Sequence, residues 1–467
     1  MEHDTKTPQY LTSDRSSFAF TSARSRWPVI LVTTPPPTPG TTCTSPSAAL
    51  ELSQTDKREE GKRIVEAVGA LKYGVLDGRA GDGHWDEIQG LMDNRPLEDD
   101  GGSDIEEYNR ELAALGETTW LHAPWLFSEC YLYRRIATHF ARSTHWKQHD
   151  VFARQKISTF RSSRPAVLEL ATRYNAILSD LARTTPSAEA ASLVFTEIAE
   201  ISLWGNATDL SLLTSLSYAD IQKQQGSEAR KAAEKHILIN DLHAAYDVLL
   251  KAQAAGGERT LFADLLLAGY LLATGLAAPV TLHPKSIPWF VSDVVPADFA
   301  ALLSALHDPR AFFETASEEE EREGTTPAPL AATTSAAREA LFAHTAGLLA
   351  EGALRVRPNA FWTAGGSFWR IPTSAPRLYE DLRESTLVVF KGDLNYRKLV
   401  ADAARAPTTA FAEALGRTGK SSGVDLLLRR TGTADGVVGL PEGKDEELRA
   451  EQGEGEGNGG RGVGSGL

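Results

Sequence analysis

Between residues 164 and 184 apolar side chains return every three or four positions, at Val167, Leu170, Ala171, Tyr174, Leu178 and Leu181. That spacing lines one face of a helix. The stretch 187–204 repeats it, and another helical pattern resumes near Ser53 with the charged run DKREEGKRIVEAV. From Trp120 to Phe160 aromatic and arginine residues recur, predicting a helix-rich region with large packing groups. Past residue 260 the pattern changes. Leu261–Thr274 reads as a helix stopped by Gly275, and Pro279–His283 as a short buried strand. Thr386–Phe390, Val424–Leu428 and Val437–Leu440 read as further strands. Short apolar strands alternating with helices predict an α/β class, a helical N-terminal portion packed on an α/β/α domain with a mainly parallel sheet. The strands at 279–283, 386–390 and 424–428 are expected to share that sheet.

Composition marks the boundaries. Residues 1–52 form an N-terminal segment whose stretch 32–48, rich in Pro, Thr and Ser, cannot be helical. Trp27–Leu31 reads as the start of an ordered element cut short by it. Residues 53–235 form the helical portion and 236–450 the α/β/α domain, with a Glu-rich and then Ala/Thr/Pro-rich surface insertion at 315–337. Eight glycines in the fifteen residues 453–467 leave almost nothing to bury, so 451–467 is expected to be a disordered tail.

Charge narrows the function classes. The chain of 467 residues carries a formal net charge of −14, so its surface as a whole repels nucleic acid and anionic lipid. An anionic substrate therefore needs a local positive site. Cys43 and Cys130 have no metal-ligand spacing, and two cysteines in such a length fit a reducing compartment. Residues 1–20 lack the apolar core of a signal peptide. The most apolar run, Leu261–Leu282, is broken by Asp264, Gly269, Gly275 and Pro279, and reads as a buried helix and strand rather than a membrane span. The cytosol is the expected location, with the nucleus open.

Four segments could carry chemistry. GRTGKSSG at 416–423 has Ala414 where a phosphate loop needs its first glycine, and no strand leads into it. TLVVFKGDLNYRKL at 386–399 is more informative. There a β-branched strand ends in a glycine turn that presents Asp393, Asn395, Arg397 and Lys398, suited to an anion or equally to a capped helix with a solvated basic turn. SIPWFVSD at 286–293 places Asp293 where a carboxylate can ligate a hard cation or cap a helix starting near Pro296. In WGNATDLSLLT, Asp209 reads as a helix cap and Asn206 as a turn former. The eleven histidines show no zinc spacing, and no GxSxG elbow is present.

Together, WGNATDLSLLT, HPKSIPWFVSDV, FKGDLNYRKL, VVGLPEGKDEEL, SECYLYRRI and DVFARQKISTFRSSRPAVLEL resemble the acidic-residue-methyltransferase-like branch of the damage-control phosphatases, fungal members above all. The resemblance runs with gaps from about residue 6 to about residue 450. It implies a phosphatase that uses a divalent cation (manganese, nickel or cobalt, with magnesium also open) on small phosphorylated metabolites such as fructose-1-phosphate and fructose-6-phosphate. Relatives have also been proposed to methylate protein carboxylates. By resemblance Asp293 is a metal ligand, while Asp393, Leu394, Asn395, Tyr396 and Arg397 meet the substrate phosphate. Asn206, Asp209 and Lys398 support them from further out.

This chain departs from the family pattern in three places. An Asp-Asn metal pair is expected before Leu261, where the sequence reads AQAAGGERT with Ala255 and Gly256 at the pair's positions. The strand leading into that pair is missing as well. The Arg-Thr-x-Lys motif appears as Arg430, Thr431, Gly432 and Thr433, and the aromatic end of relatives is replaced by glycines. One carboxylate gives a hard cation too few ligands. Two explanations stand at this point, a pseudophosphatase that keeps only an anion site or a wrongly joined gene.

Overall fold

The computed structural model describes residues 5–33, 48–76, 96–183, 237–251, 262–432, 436–453 and 461–466 and parts of 191–202, apart from 117, 121, 311, 317–319, 321 and 323. Helices α1 (Phe18–Thr33), α2 (Ala48–Leu76), α3 (Ile105–Leu115), α4 (Trp125–Ala141), α5 (Ala153–Ser162) and α6 (Arg164–Arg183) make up the N-terminal portion. Helix α1 continues through Pro28, so the element begun at Trp27–Leu31 is the second half of a longer helix. Aromatic side chains knit this portion together. Trp27 meets Trp120 edge-on at 6.0 Å, and Phe127 stacks on Tyr131 at 5.7 Å. Helix α4 is buried on nearly all sides, which accounts for its apolar and aromatic content all round.

In the second half β1 is Ile237–Asn240, β2 Val280–Leu282, β3 Leu354–Val356, β4 Val388–Lys391, β5 Leu426–Gly432 and β6 Arg461–Gly466. They form a four-stranded sheet in the order β1-β6-β5-β4 and a separate pair β2-β3. Every pairing is parallel except β5 with β6. The single sheet expected from the pattern is thus corrected to two. The ladder of β2 is used by β3, a three-residue strand too short to show an alternation in sequence. Both sheets nevertheless share one core, in which Val280, Leu282 and Leu354 lie with Leu387 and Leu427. No strand forms at 437–440. There Gly439 takes a φ of 84°, and Gly439 and Leu440 donate to the carbonyls of Thr409 and Pro407 instead of to a ladder.

Residues 461–466, where composition predicts no element, form the inner strand β6 between β1 and β5. Glycine contributes only backbone groups there, and a ladder needs no more than those. Helix Phe262–Ala273 and the positive φ of 69° at Gly275 agree with the pattern. The core of the N-terminal portion extends into the second half through Trp289, Phe290, Val291 and Leu394. Those four residues belong to the two segments singled out above for chemistry. Among the described residues no helix is long and apolar enough to cross a membrane.

Candidate functional site

The loop after β2 and the helix after β4 meet on one ammonium group. Lys285 Nζ donates to Asn395 Oδ1 at 3.1 Å and to the Trp362 carbonyl at 3.3 Å, and stands 3.6 Å from Asp293 Oδ2. Lys285 is buried, whereas the Asp293 side chain keeps about a quarter of its exposure. Burial pushes the Lys285 pKa below its usual value, with Asp293 opposing the shift. The hydroxyls of Ser286 and Thr363 lie 3.5 Å apart beside this centre.

Positive φ angles shape both loops. Phe290 and Val291 take φ of 44° and 63°, values costing about 1–3 kcal/mol each in non-glycine residues. Packing holds them there: Phe290 stacks on Tyr133 at 4.6 Å and Trp289 lies 5.8 Å from the same ring. The turn closes with Ser292 N donating to the Phe290 carbonyl and Asp293 N to that of Trp289. Lys285 N donates in turn to the Val294 carbonyl at 2.8 Å, which keeps lysine and aspartate together. On the other side Gly392, at φ 95°, turns β4 into the helix Asp393–Leu399. Asn395 is oriented by its amide, which donates to the Lys391 carbonyl at 2.8 Å. Asp293 caps no helix; at the start of Pro296–His307 it is Asp298 that accepts from Val295 N at 2.8 Å.

The remaining residues of DLNYRK divide. Asp393 accepts from Arg430 Nε at 2.7 Å, and that guanidinium lies 3.9 Å over the Tyr396 ring. Leu394 and Tyr396 are buried in two different cores. Arg397 faces neither a cleft nor solvent. Its three nitrogens donate to Asp402 (Nε 2.9 Å, Nη2 3.0 Å) and Glu129 (Nη1 2.8 Å), and it lies 3.5 Å over Trp125. Burial works against its charge, yet Asp402 and Glu129 hold its pKa above the usual value. The reading of Arg397 as a phosphate contact is therefore corrected to a buried clamp, because its donors are committed to carboxylates. Lys398 is fully buried and donates to the Ala364 and Gly366 carbonyls. Burial brings its pKa down to about 8.

Asn206, Asp209, Ala255, Gly256 and Thr433 lie outside the described residues. Among those described, no group of three or more His, Cys, Asp and Glu could hold a metal ion. The one carboxylate expected to ligate it, Asp293, is instead beside the Lys285 ammonium. These residues do not fit a divalent cation, which needs several oxygen ligands free of competing positive charge. Lys285 is the residue that sequence reasoning missed, since a single lysine between Pro284 and Ser286 has no spacing to mark it.

A strained carboxylate loop and a glycine-turn helix meeting beyond β-strands define an α/β protein with a polar cluster built around a buried cation. The family model of the damage-control phosphatase ARMT1-like domain matches residues 42–448. Damage-control phosphatase ARMT1 of Xenopus laevis is 31% identical over 364 residues, covering 73% of this chain and 74% of that protein. That of Mus musculus is 33% identical over 365 residues, covering 74% of each chain. The human protein of that name is 30% identical over 354 residues, 72% of this chain and 73% of its own. Among solved structures, a DUF89 family protein from Pyrococcus horikoshii aligns at a TM-score of 0.38 and 12% identity over 77% of this chain and 87% of that one. The chain belongs to the damage-control phosphatase family.

Proposed function

We propose that this chain binds the phosphate group of small sugar phosphates, fructose-1-phosphate and fructose-6-phosphate among them, and hydrolyses them at a small fraction of a complete family member's rate. The observation that carries the reading is the meeting of Asp293 and Asn395 on the Lys285 ammonium. In a chain of net charge −14 a phosphate needs a local cation, and a buried ammonium forms strong charge-assisted bonds to phosphoryl oxygens. The Ser286 and Thr363 hydroxyls supply further donors nearby. In complete members a divalent cation would offset charge on the transferring phosphoryl group. Here Ala255 and Gly256 offer it no side-chain oxygen, which is why turnover is expected to be slow. The cytosol or nucleus is the location this substrate class implies.

The test is calorimetric titration of the purified chain with fructose-1-phosphate, with fructose as control. Binding of the phosphate ester and none of the free sugar is expected. Equal affinity for both would overturn the reading.

A further inference from the structure

The oxygen atoms gathered between the Asp293 loop and the helix Asp393–Leu399 surround a side-chain ammonium. Three acceptors of different origin surround Lys285 Nζ: the Asn395 amide oxygen at 3.1 Å, the Trp362 carbonyl at 3.3 Å and the Asp293 carboxylate at 3.6 Å. An amide oxygen, a backbone carbonyl and a carboxylate are the donor types that hold a hard cation, and an ammonium has three N–H groups to match them. The cage is built before any ligand arrives. Asn395 is tied to the Lys391 carbonyl, Lys285 N to the Val294 carbonyl, and Asp293 N to the Trp289 carbonyl across the strained Phe290–Val291 turn.

We propose that Lys285 is the resident cation of this site, so that phosphate binds to its ammonium without a metal and competes with Asp293 for it. This rests on the phosphate-binding reading above but reverses the part assigned to Asp293. In a metal-held site the Asp293 carboxylate recruits the cation and so promotes anion binding. Beside a resident ammonium it is a rival anion, repelling the incoming phosphate and drawing on the same positive charge from 3.6 Å. The same substitution then acts in opposite directions under the two arrangements. Removing the charge with Asp293→Asn keeps the side chain's shape and leaves the ammonium to the ligand.

The experiment is calorimetric titration with inorganic phosphate, in EDTA and again with excess manganese, on the unmodified chain, Asp293→Asn and Lys285→Met. The unmodified chain is expected to bind phosphate equally well in both buffers. Asp293→Asn should bind about fivefold tighter, through loss of a like charge within a few ångströms of the ligand. Lys285→Met should bind at least about tenfold weaker, through loss of a charge-assisted bond. Lys285→Met also strands a carboxylate and a carbonyl and can unfold, so the Asp293→Asn result decides. Weaker binding by that variant, or binding by the unmodified chain only with manganese, overturns the inference and leaves the phosphate-binding reading standing. Absence of phosphate binding in every arm overturns both.

Discussion

Replacing Arg397 with methionine removes the positive centre of a buried ion cluster while keeping a side chain of similar length. Three donor bonds of 2.8–3.0 Å to Asp402 and Glu129 are lost, together with the stacking over Trp125. Taking one partner from a buried ion pair costs about 3–5 kcal/mol. Two features limit the loss. Arg26 stands 3.5 Å from Glu129 and still neutralises part of its charge. Asp402, whose carboxyl burial already pushes above its usual pKa, can take up a proton. We expect about 4 kcal/mol, a large part of the roughly 5–15 kcal/mol that keeps a domain folded. Urea unfolding at neutral pH, followed by tryptophan fluorescence, reads the change as a lowered midpoint. Glu129→Gln and the double variant complete a cycle whose coupling should reach about 2 kcal/mol. A loss below about 1 kcal/mol, accompanied by loss of phosphate binding, would refute the clamp and make Arg397 a ligand.

Other perturbations follow from the same geometry. Tyr108→Phe deletes a 2.6 Å bond to the Thr363 carbonyl and should lower stability by about 1 kcal/mol in the same urea assay. Gly365→Ala brings a Cβ to 2.8 Å from Tyr108 Cε1 and 3.1 Å from Phe127 Cδ2, so a loss of about 1–3 kcal/mol is expected; an unchanged midpoint would mean that the rings yield freely. Burial, and then Arg135, hold His139 at about 4 against an ordinary 6.5. The unfolded chain therefore binds a proton that the folded one refuses, and stability falls as pH drops from 6.5 towards 4; His139→Gln should flatten part of that slope. For Asp100, burial raises the carboxyl pKa but Arg134 more than offsets it, leaving the net value below 3.8. Its contribution is present above 3.8 and is lost as pH falls through the depressed value, so Asp100→Asn should remove that acid-sensitive portion of stability.

Periodicity exposed the long helices and the glycine that ends Phe262–Ala273, because local spacing alone determines which faces are buried. The DLNYRK helix and the Asp293 loop were likewise legible from a glycine turn and an aromatic pair. The rest depended on distant partners. Arg397 looks like a solvent-facing base in sequence, and only the fold brings Glu129 from α4 beneath it. Lys285 acquires its role from Asn395, 110 positions away. Strand β3 is too brief for an alternation, and β6, with glycine at 462, 464 and 466, carries little side-chain signal. The four-stranded sheet finds its inner strand at 461–466, within the glycine-rich stretch whose composition predicts a disordered tail.

Phosphate release from fructose-1-phosphate, with and without excess manganese, tests the central claim most directly. The unmodified chain should be compared with a graft carrying a complete relative's strand and Asp-Asn turn before Leu261 together with Thr433→Lys. We predict that the unmodified chain runs at least about a hundredfold slower than a complete relative, since losing mere supporting residues of a metal site already costs about 10–100-fold. The graft should recover manganese-dependent release. Full manganese-dependent turnover by the unmodified chain would contradict the account, because it would require a metal held by residues other than Asp293, Ala255 and Gly256.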